Sequence, residues 1–433
     1  MVSRLTPNDT IVRSLGKSVF RTPIQIPSFI ADDARVIFNV EYEAVQANLK
    51  ANQPIITLEN AGPREKLYFN PTEVIAAIVT CGGLCPGLNN VIQALVKQLY
   101  FQYQVKKVYG VKYGFEGLNP EFGHSLLELT PESVRGIDRQ GGTILGTSRG
   151  SQDIGTMVDT LVANKIDILF AVGGDGTMRG AKAIADEIER RNLKISIAGI
   201  PKTIDNDVQF IERTFGFETA MSVATDVLHG AHAEATSALN GIGLVKLMGR
   251  DSGYIAAFAG LASSETNYVL IPEVQFTLAG QNGLLAHLKE RLLRKRHALI
   301  VVAEGAGQDL VPERHEKDAS GNRRYGDIGL FLKKEIESYL KSEKVPFTLK
   351  YIDPSYIIRS VPASADDAVY CMMLAQNAVH GAMAGKTDFM VGKVNSYYIY
   401  VPIEIAVSSR KKIDPHGYLW SIVKEATGQP DFT

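Results

Sequence analysis

Two carboxylates two positions apart, Asp205 and Asp207, stand in the run Gly199-Ile200-Pro201-Lys202-Thr203-Ile204-Asp205-Asn206-Asp207-Val208. In an extended backbone both would point the same way. With Lys202 and the Thr203 hydroxyl beside them, such a pair suits a general base, a metal ion, or both. An Asp-rich turn carries the same letters without chemistry. A second carboxylate, Asp175, lies in Gly173-Gly174-Asp175-Gly176-Thr177. An Asp in a glycine turn after a strand can reach a magnesium ion that bridges phosphates. Arg149 closes Gly141-Gly142-Thr143-Ile144-Leu145-Gly146-Thr147-Ser148-Arg149-Gly150, where it could fork onto phosphate oxygens or simply be solvated. Arg250, in Met248-Gly249-Arg250-Asp251, could hold a phosphate or pair with its neighbouring acid. Glu304, before Gly305, could accept hydrogen bonds from sugar hydroxyls or cap a turn.

The elements that must carry these residues follow a βα rhythm from Glu73 onward. Val74 to Val79, Ile166 to Val172, Leu193 to Ile200, Ile242 to Leu247 and Ala298 to Ala303 are apolar runs of buried parallel strands. Each ends in a glycine-rich or charged turn. Pro201 cannot donate to a ladder, so the Asp205 motif reads as a fixed loop at a strand's C-terminal edge, where open α/β sheets bind ligands. Cys81-Gly82-Gly83-Leu84-Cys85-Pro86-Gly87 runs into a helix-like Leu88 to Tyr100; this suits a phosphate cradle or a plain tight turn. It is neither a Walker A loop nor a G-x-G-x-x-G fingerprint. Helices are expected over Met178 to Arg190, Tyr254 to Ala262, Ile328 to Lys341 and Ala365 to Ala384. Strands are expected over Thr348 to Ile352 and within Asp388 to Val407. The polar stretch Gln308 to Asp327 reads as a mobile surface loop. Residues 1 to about 72 lack the rhythm and read as an N-terminal arm that packs on something else.

Composition limits the alternatives. The 433 residues, 45% hydrophobic and 21% charged, are ordinary for a globular enzyme of two domains. A net charge of -1 favours neither nucleic acid nor an anionic membrane as partner. No apolar run is long enough to span a bilayer, and residues 1–30 lack a signal-peptide core, so a cytoplasmic location is expected. Three cysteines argue for a reducing compartment; Cys81 and Cys85 read as small loop residues, not zinc ligands.

In combination these segments resemble the 6-phosphofructokinases. Gly82-Gly83, Gly146 to Arg149, Gly173 to Thr177, Pro201 to Asp207, Met248 to Arg250, Glu304-Gly305 and Tyr356-Ile357-Ile358-Arg359 occur in that family's order, across about residues 73 to 407. The likeness is to the long-chain ATP-dependent branch, whose loops are similar to those of pyrophosphate-dependent members. It implies an α/β fold of two Rossmann-like three-layer lobes with mostly parallel sheets, the active site in the cleft, and an N-terminal extension. The implied lobes are 73–216, completed by about 358–404, for nucleotide, and 217–357, completed by about 405–433, for sugar phosphate. The implied reaction is transfer of the terminal phosphoryl of ATP to the 1-hydroxyl of fructose 6-phosphate, with Mg²⁺. Asp205 resembles the general base, Asp207 its orienting neighbour, and Thr203 a partner of the reacting groups. Asp175 resembles the metal-site residue; Gly82, Arg149, Gly150, Gly174, Gly176 and Thr177 resemble the nucleotide loops. Ile204, Met248, Gly249, Arg250, Glu304, Tyr356, Ile357, Ile358 and Arg359 resemble the sugar-phosphate pocket. The family is oligomeric, so a homotetramer or dimer is expected, with residues 1–72 able to embrace a neighbour.

Two departures stand out. Lys202 and Tyr356 replace the glycine and histidine of many short bacterial members, and a pocket arginine borrowed from a neighbouring subunit is missing near Gly241-Ile242; Lys350 is a candidate substitute cation. Lys202 is a feature of the pyrophosphate-dependent pattern, but that pattern also carries Asp after Gly-Gly-Asp. Here Gly176 leaves that space open and adds no charge, which favours ATP over pyrophosphate. Competing readings are a pyrophosphate-dependent enzyme, a non-catalytic regulatory subunit, and another kinase with the Gly-Gly-Asp-Gly turn. A regulatory subunit could dispense with Asp205 and Asp175, and both are present.

Overall fold

The computed structural model describes residues 5–312 and 325–432. Its strands in chain order are β1 Arg13–Ser14, β2 Phe20–Arg21, β3 Arg35–Ile37, β4 Thr57–Asn60, β5 Lys66–Leu67, β6 Ile75–Thr80, β7 Lys107–Val111, β8 Leu127–Glu128, β9 Ile168–Gly173, β10 Ser196–Pro201, β11 Gly241–Leu247, β12 Tyr268–Leu270, β13 His297–Ala303, β14 Thr348–Ile352, β15 Lys386–Thr387, β16 Phe389–Val394 and β17 Tyr397–Pro402. The chain divides into two compact units. One is Met1–Thr203, Val208–Gly216 and Ser360–Arg410; the other is Ile204–Asp207, Phe217–Arg359 and Lys411–Thr433.

The first unit holds a nine-stranded sheet in the order β3-β4-β17-β16-β10-β9-β6-β7-β8. Strands β16, β10, β9, β6 and β7 are parallel, and the margins are antiparallel. Ile168 to Gly173 is buried at every position, as a strand covered on both faces requires. Alternate residues serve opposite layers: Ala77, Val79, Leu169, Ala171 and Ile197 pack with Met157, Leu161, Ala181 and Ile184 of the helices Ile154–Ala163 and Asp175–Arg190. The helices Leu88–Lys97 and Ala365–Met383 pack against each other, and the latter also packs on β10 and β16. The N-terminal stretch, expected as an arm, supplies two strands to this sheet. Its β4 pairs with β17, Tyr400 opposite Glu59, and β3 lies outside it. Strands of three and four residues leave almost no periodic trace in sequence, which is why the stretch reads as an arm.

The second unit holds a parallel sheet in the order β12-β13-β11-β14. Ile242, Leu244, Ile300 and Val302 pack with the helices Leu284–Lys295 and Ile328–Ser342. The helices Phe217–Thr236 and Tyr254–Ser263 pack together and against β13. Sequence reading placed neither Phe217–Thr236 nor Leu284–Lys295. Gln308 ties both ends of the polar loop: its Nε2 donates to the Glu304 and Gly326 carbonyls at 2.7 and 3.1 Å, and its Oε1 accepts from Gly326 N–H. The charged residues Glu313, Arg314, Glu316, Lys317, Asp318, Arg323 and Arg324 lie outside the described residues.

Candidate active site

In the first unit the parallel strands β7, β6, β9 and β10 deliver their following loops to one edge of the sheet. Strand β10 runs to Pro201, further than the sequence indicates: Pro201 pairs with Gly173, and Lys202 N–H donates to the Gly173 carbonyl at 2.9 Å. Proline is accepted because it ends the ladder. After β9 the helix starts at Asp175, not at Met178, with Gly174 as its N-cap and no side-chain cap. Met178 N–H makes the first bond back, to Gly174 at 3.0 Å. The N–H groups of Asp175, Gly176 and Thr177 therefore form an uncapped helix N-terminus, an anion site by geometry and dipole. A Cβ on Gly176 would meet nothing within 4 Å. Asp175 Oδ2 faces Arg179 Nε at 3.0 Å and Arg410 at 3.8 Å.

Gly82 adopts φ +82°; its N–H donates to the Ser148 carbonyl at 3.1 Å, and its own carbonyl accepts from the Thr147 hydroxyl at 2.6 Å. These bonds join the first glycine turn to the Gly146–Arg149 loop. Lys202 is only 6% exposed and its Nζ donates to the Gly83 carbonyl at 2.7 Å. Arg149, the last residue of that loop, and Gly150 after it are exposed. The Thr203 carbonyl accepts from the Thr214 hydroxyl at 2.6 Å. Burial pushes the Cys81 thiol up to about 12, despite Lys202 and hydrogen bonding that favour the thiolate, so it behaves as a small core residue. Among the described residues no three His, Cys, Asp or Glu side chains are grouped to hold a metal. Tyr113, two residues past β7, carries no signal in the sequence. It has φ +55°, a left-handed conformation that strains a bulky residue, and its ring lies against Gly146, where a Cβ would come within 2.7 Å.

In the second unit the segment Ile204–Asp207 is bent. Asn206 has φ +53°, so the side-chain alternation of an extended strand does not govern Asp205 and Asp207. The Asp205 carbonyl accepts from the Ser252 hydroxyl at 2.8 Å. The turns after β11 and β13 are joined by backbone bonds: Glu304 N–H to Leu247 at 2.9 Å and Gly305 N–H to Gly249 at 3.1 Å. A Cβ on Gly305 would fall 1.9 Å from the Arg250 carbonyl, so glycine is required for this approach. Burial raises the Glu304 carboxyl, while Arg250 and Lys246 oppose the rise. Arg250 stacks its guanidinium 4.6 Å from the Tyr325 ring centroid. Lys246, another residue missed in sequence, bonds Asp353 at 2.8 Å and Asp327 at 3.0 Å. Burial would lower its pKa, but these two carboxylates reverse the shift and hold the ammonium charged. The only sequence signal was one lysine near the end of an apolar strand.

Tyr356 and Ile357 are exposed on a one-turn helix, and Arg359 lies over the Tyr356 ring at 4.8 Å. The Ile204 and Ile358 side chains are buried in protein, so their backbone is what they can offer a ligand. Lys350 is not drawn into the Arg250–Glu304 group by any contact seen; it lies within β14 and pairs with Glu234 at 3.5 Å.

Each unit is built on parallel strands whose ends carry glycine turns, and the first adds an uncapped helix N-terminus able to hold an anion, which defines an α/β protein with ligand-sized turns at its strand ends. The family profile described as Phosphofructokinase matches residues 75–382. The chain belongs to the phosphofructokinase family. It is 52% identical over 384 residues to "ATP-dependent 6-phosphofructokinase" of Borreliella burgdorferi, covering 87% of this chain and 86% of that one. It is 45% identical to the protein of the same name from Amycolatopsis methanolica, covering 98% and 95%. The pyrophosphate-dependent phosphofructokinase of Marinobacter aquaeolei superposes with a TM-score of 0.67 at 20% identity, over 82% of this chain and 91% of that one, and shares the fold.

Proposed function

We propose that this protein transfers the terminal phosphoryl group of ATP to the 1-hydroxyl of fructose 6-phosphate, giving fructose 1,6-bisphosphate and ADP, a step of glycolysis. The observation that carries the choice of donor is Gly176: at the helix N-terminus it leaves open space and no charge. In this reading Asp205 takes the proton of the 1-hydroxyl as the acceptor oxygen attacks, which is worth roughly 10²–10⁴-fold. Asp207 orients it, and Thr203 bonds the reacting groups. The helix N–H groups at Asp175, Gly176 and Thr177, with Gly82, Gly174, Arg149 and Gly150, hold the phosphates. Arg250 neutralises charge on the sugar phosphate and the moving phosphoryl group. Met248, Gly249, Glu304, Tyr356, Ile357, Ile358 and Arg359 shape the sugar-phosphate pocket, with Lys350 as a further cation.

In this reading the nucleotide runs along the order of the strands. Tyr113 follows β7, Gly82 follows β6, Asp175 follows β9, and Thr203 follows β10, whose chain continues to Asp205. Strands β7 and β9 are two inter-strand spacings apart, about 10 Å. A base near Tyr113 would thus leave its phosphates at the helix N-terminus, beside the strand leading to the base.

Magnesium fits this donor set. Both arginine contacts of Asp175 fall on Oδ2. One carboxylate, with no cage of ligands around it among the described residues, suits an ion that keeps waters and takes the rest of its shell from phosphate oxygens. When bound, it would neutralise phosphate charge. The lobe assignments, 73–216 with 358–404 for nucleotide and 217–357 with 405–433 for sugar phosphate, belong to the same proposal, as do a cytoplasmic location and a homotetramer or dimer. A pyrophosphate donor is the second reading, favoured by Lys202. A coupled assay with fructose 6-phosphate and each donor separates the two: turnover with ATP is expected, and turnover with pyrophosphate alone overturns the reading.

A further inference from the structure

Four segments of the second unit are joined through Glu273. Its Oε1 accepts from Gly253 N–H at 3.0 Å and from Ile413 N–H at 3.0 Å. Its Oε2 is buried with no hydrogen-bond partner among the described residues. Gly253 is the N-cap of the helix that follows the Met248–Arg250 turn. Ile413 belongs to the tail beginning at Lys411. Lys411 N–H donates to the Asp207 carbonyl at 2.8 Å, and its Nζ donates to Asn206 Oδ1 at 3.2 Å. That ammonium also lies 5.1 Å from the Tyr254 ring centroid, while the Tyr254 hydroxyl donates to the Lys412 carbonyl at 3.1 Å. Ser252 completes the circuit through the Asp205 carbonyl at 2.8 Å.

The bonds form a closed ring: loop 205–207, tail 411–413, Glu273, turn 250–253, and back to the loop. None uses a side-chain atom of Asp205 or Arg250: the ring holds the Asp205 carbonyl directly and reaches Arg250 only along the chain, through Ser252 and Gly253. A buried carboxylate oxygen without a donor costs stability. Glu273 is therefore a poor choice for holding the fold together and a good one for setting where two loops stand. The tail lies outside the residues matched by the family profile, 75–382.

We propose that Glu273 is a positioning residue that sets the spacing between Asp205 and Arg250, with Lys411 serving the same ring from the tail. The proposal rests on the reading of Asp205 as base and Arg250 as phosphate ligand. Its test uses the full chain. Glu273→Ala removes both bonds; Glu273→Gln keeps an oxygen for both donors and puts an amide where the stranded oxygen lies. Because small displacements of reacting groups cost up to about 100-fold, Glu273→Ala is expected to lower kcat about tenfold or more, with KM for ATP changed less than about twofold. Glu273→Gln restores kcat to within about threefold of the parent on the same ground. Lys411→Met, which leaves every backbone bond in place, lowers kcat in the same direction by less, and decides the matter if Glu273→Ala does not fold. The parent kcat in both Glu273→Ala and Lys411→Met, failure of Gln to rescue, or a parallel fall of ATP affinity and Tm overturns the proposal. Asp205→Asn is run beside them. If it keeps full activity, the reading of the base fails; if it is inactive while Glu273→Ala is not, only the positioning role fails.

Discussion

Gly176→Asp isolates donor choice from folding. Position 176 is the second residue of the helix Asp175–Arg190, its φ is not in the left-handed region, and a Cβ there meets open space. An added side chain therefore strains nothing. Replacing glycine in a helix recovers a few tenths of a kcal/mol, and an acid in the first turn adds about 0.3–1 kcal/mol. Tm should hold or rise slightly. A nucleotide phosphate at the same helix terminus meets the opposite effect. A carboxylate about 4 Å from a phosphate oxygen is repelled by about 4 kcal/mol at the effective dielectric of a protein surface. That corresponds to about 10²–10³-fold weaker binding, at 1.36 kcal/mol per tenfold. Isothermal titration with Mg·ADP, a coupled assay with ATP, and a thermal melt read the three quantities on one preparation. Gly176→Ala, which fills space without charge, should bind within a fewfold of the parent. If Gly176→Asp keeps parental ATP turnover, or if Gly176→Ala loses as much as Asp does, charge at this position does not choose the donor.

Other outcomes follow from the same geometry. Asp205→Asn should lower kcat roughly 10²–10⁴-fold while titrations with Mg·ADP and fructose 6-phosphate stay near parental values. Glu304→Gln should raise KM for fructose 6-phosphate about 10–100-fold, the worth of one hydrogen bond to a charged group, and leave KM for ATP unchanged; equal changes in both would remove Glu304 from the sugar pocket. Asp388 is 13% exposed, 3.7 Å from both Arg13 and Lys182, and burial raises its carboxyl to about 6 against the pull of those cations. A carboxyl raised in the folded state stabilises while protonated, below its unfolded value, and that contribution is lost as pH rises through about 6. Asp388→Asn should therefore stabilise the protein by ~1–3 kcal/mol at pH 8, with the gain fading toward pH 4. Destabilisation at pH 8 in urea titrations would mean that the ion pairs outweigh burial.

The parallel core could be read from sequence because strands buried on both faces are written as unbroken apolar runs, such as Ile168 to Val172, closed by glycine turns. The turn residues were readable for the same reason: few residue types fit a strand end facing a helix N-terminus. What escaped lay where local sequence does not encode the outcome. Strand β4 gains its place from pairing with β17, more than 300 residues away in sequence, and β3 gains its place from β4; neither has a period of its own to show it. Helix Phe217–Thr236 is rich in alanine and has no sharp polar face. Lys246 and Glu273 became visible only through partners distant in the chain, Asp327 and Asp353 for the one, Gly253 and Ile413 for the other. The extended-strand argument for Asp205 and Asp207 does not apply, because Asn206 has a positive φ, which asparagine permits but does not announce.

The conflict in sequence between Lys202 and Gly176 eases once the surroundings of each are compared. Lys202 lies at the end of a central strand and hydrogen-bonds the first glycine turn through the Gly83 carbonyl. A lysine there shapes the Gly82–Gly83 turn as well as adding charge, and that shaping is useful to a phosphate chain of any length. Gly176 has no comparable structural duty: nothing touches the place where its side chain would be. A residue that braces a loop can persist through a change of donor, whereas one that only leaves space is free to change with it. On this argument Lys202→Met should depress turnover with either donor, because the turn it braces serves both. Gly176→Asp should depress turnover with ATP alone. An enzyme in which Lys202→Met selectively removed pyrophosphate use while ATP turnover stayed at the parental level would reverse the assignment of the two residues.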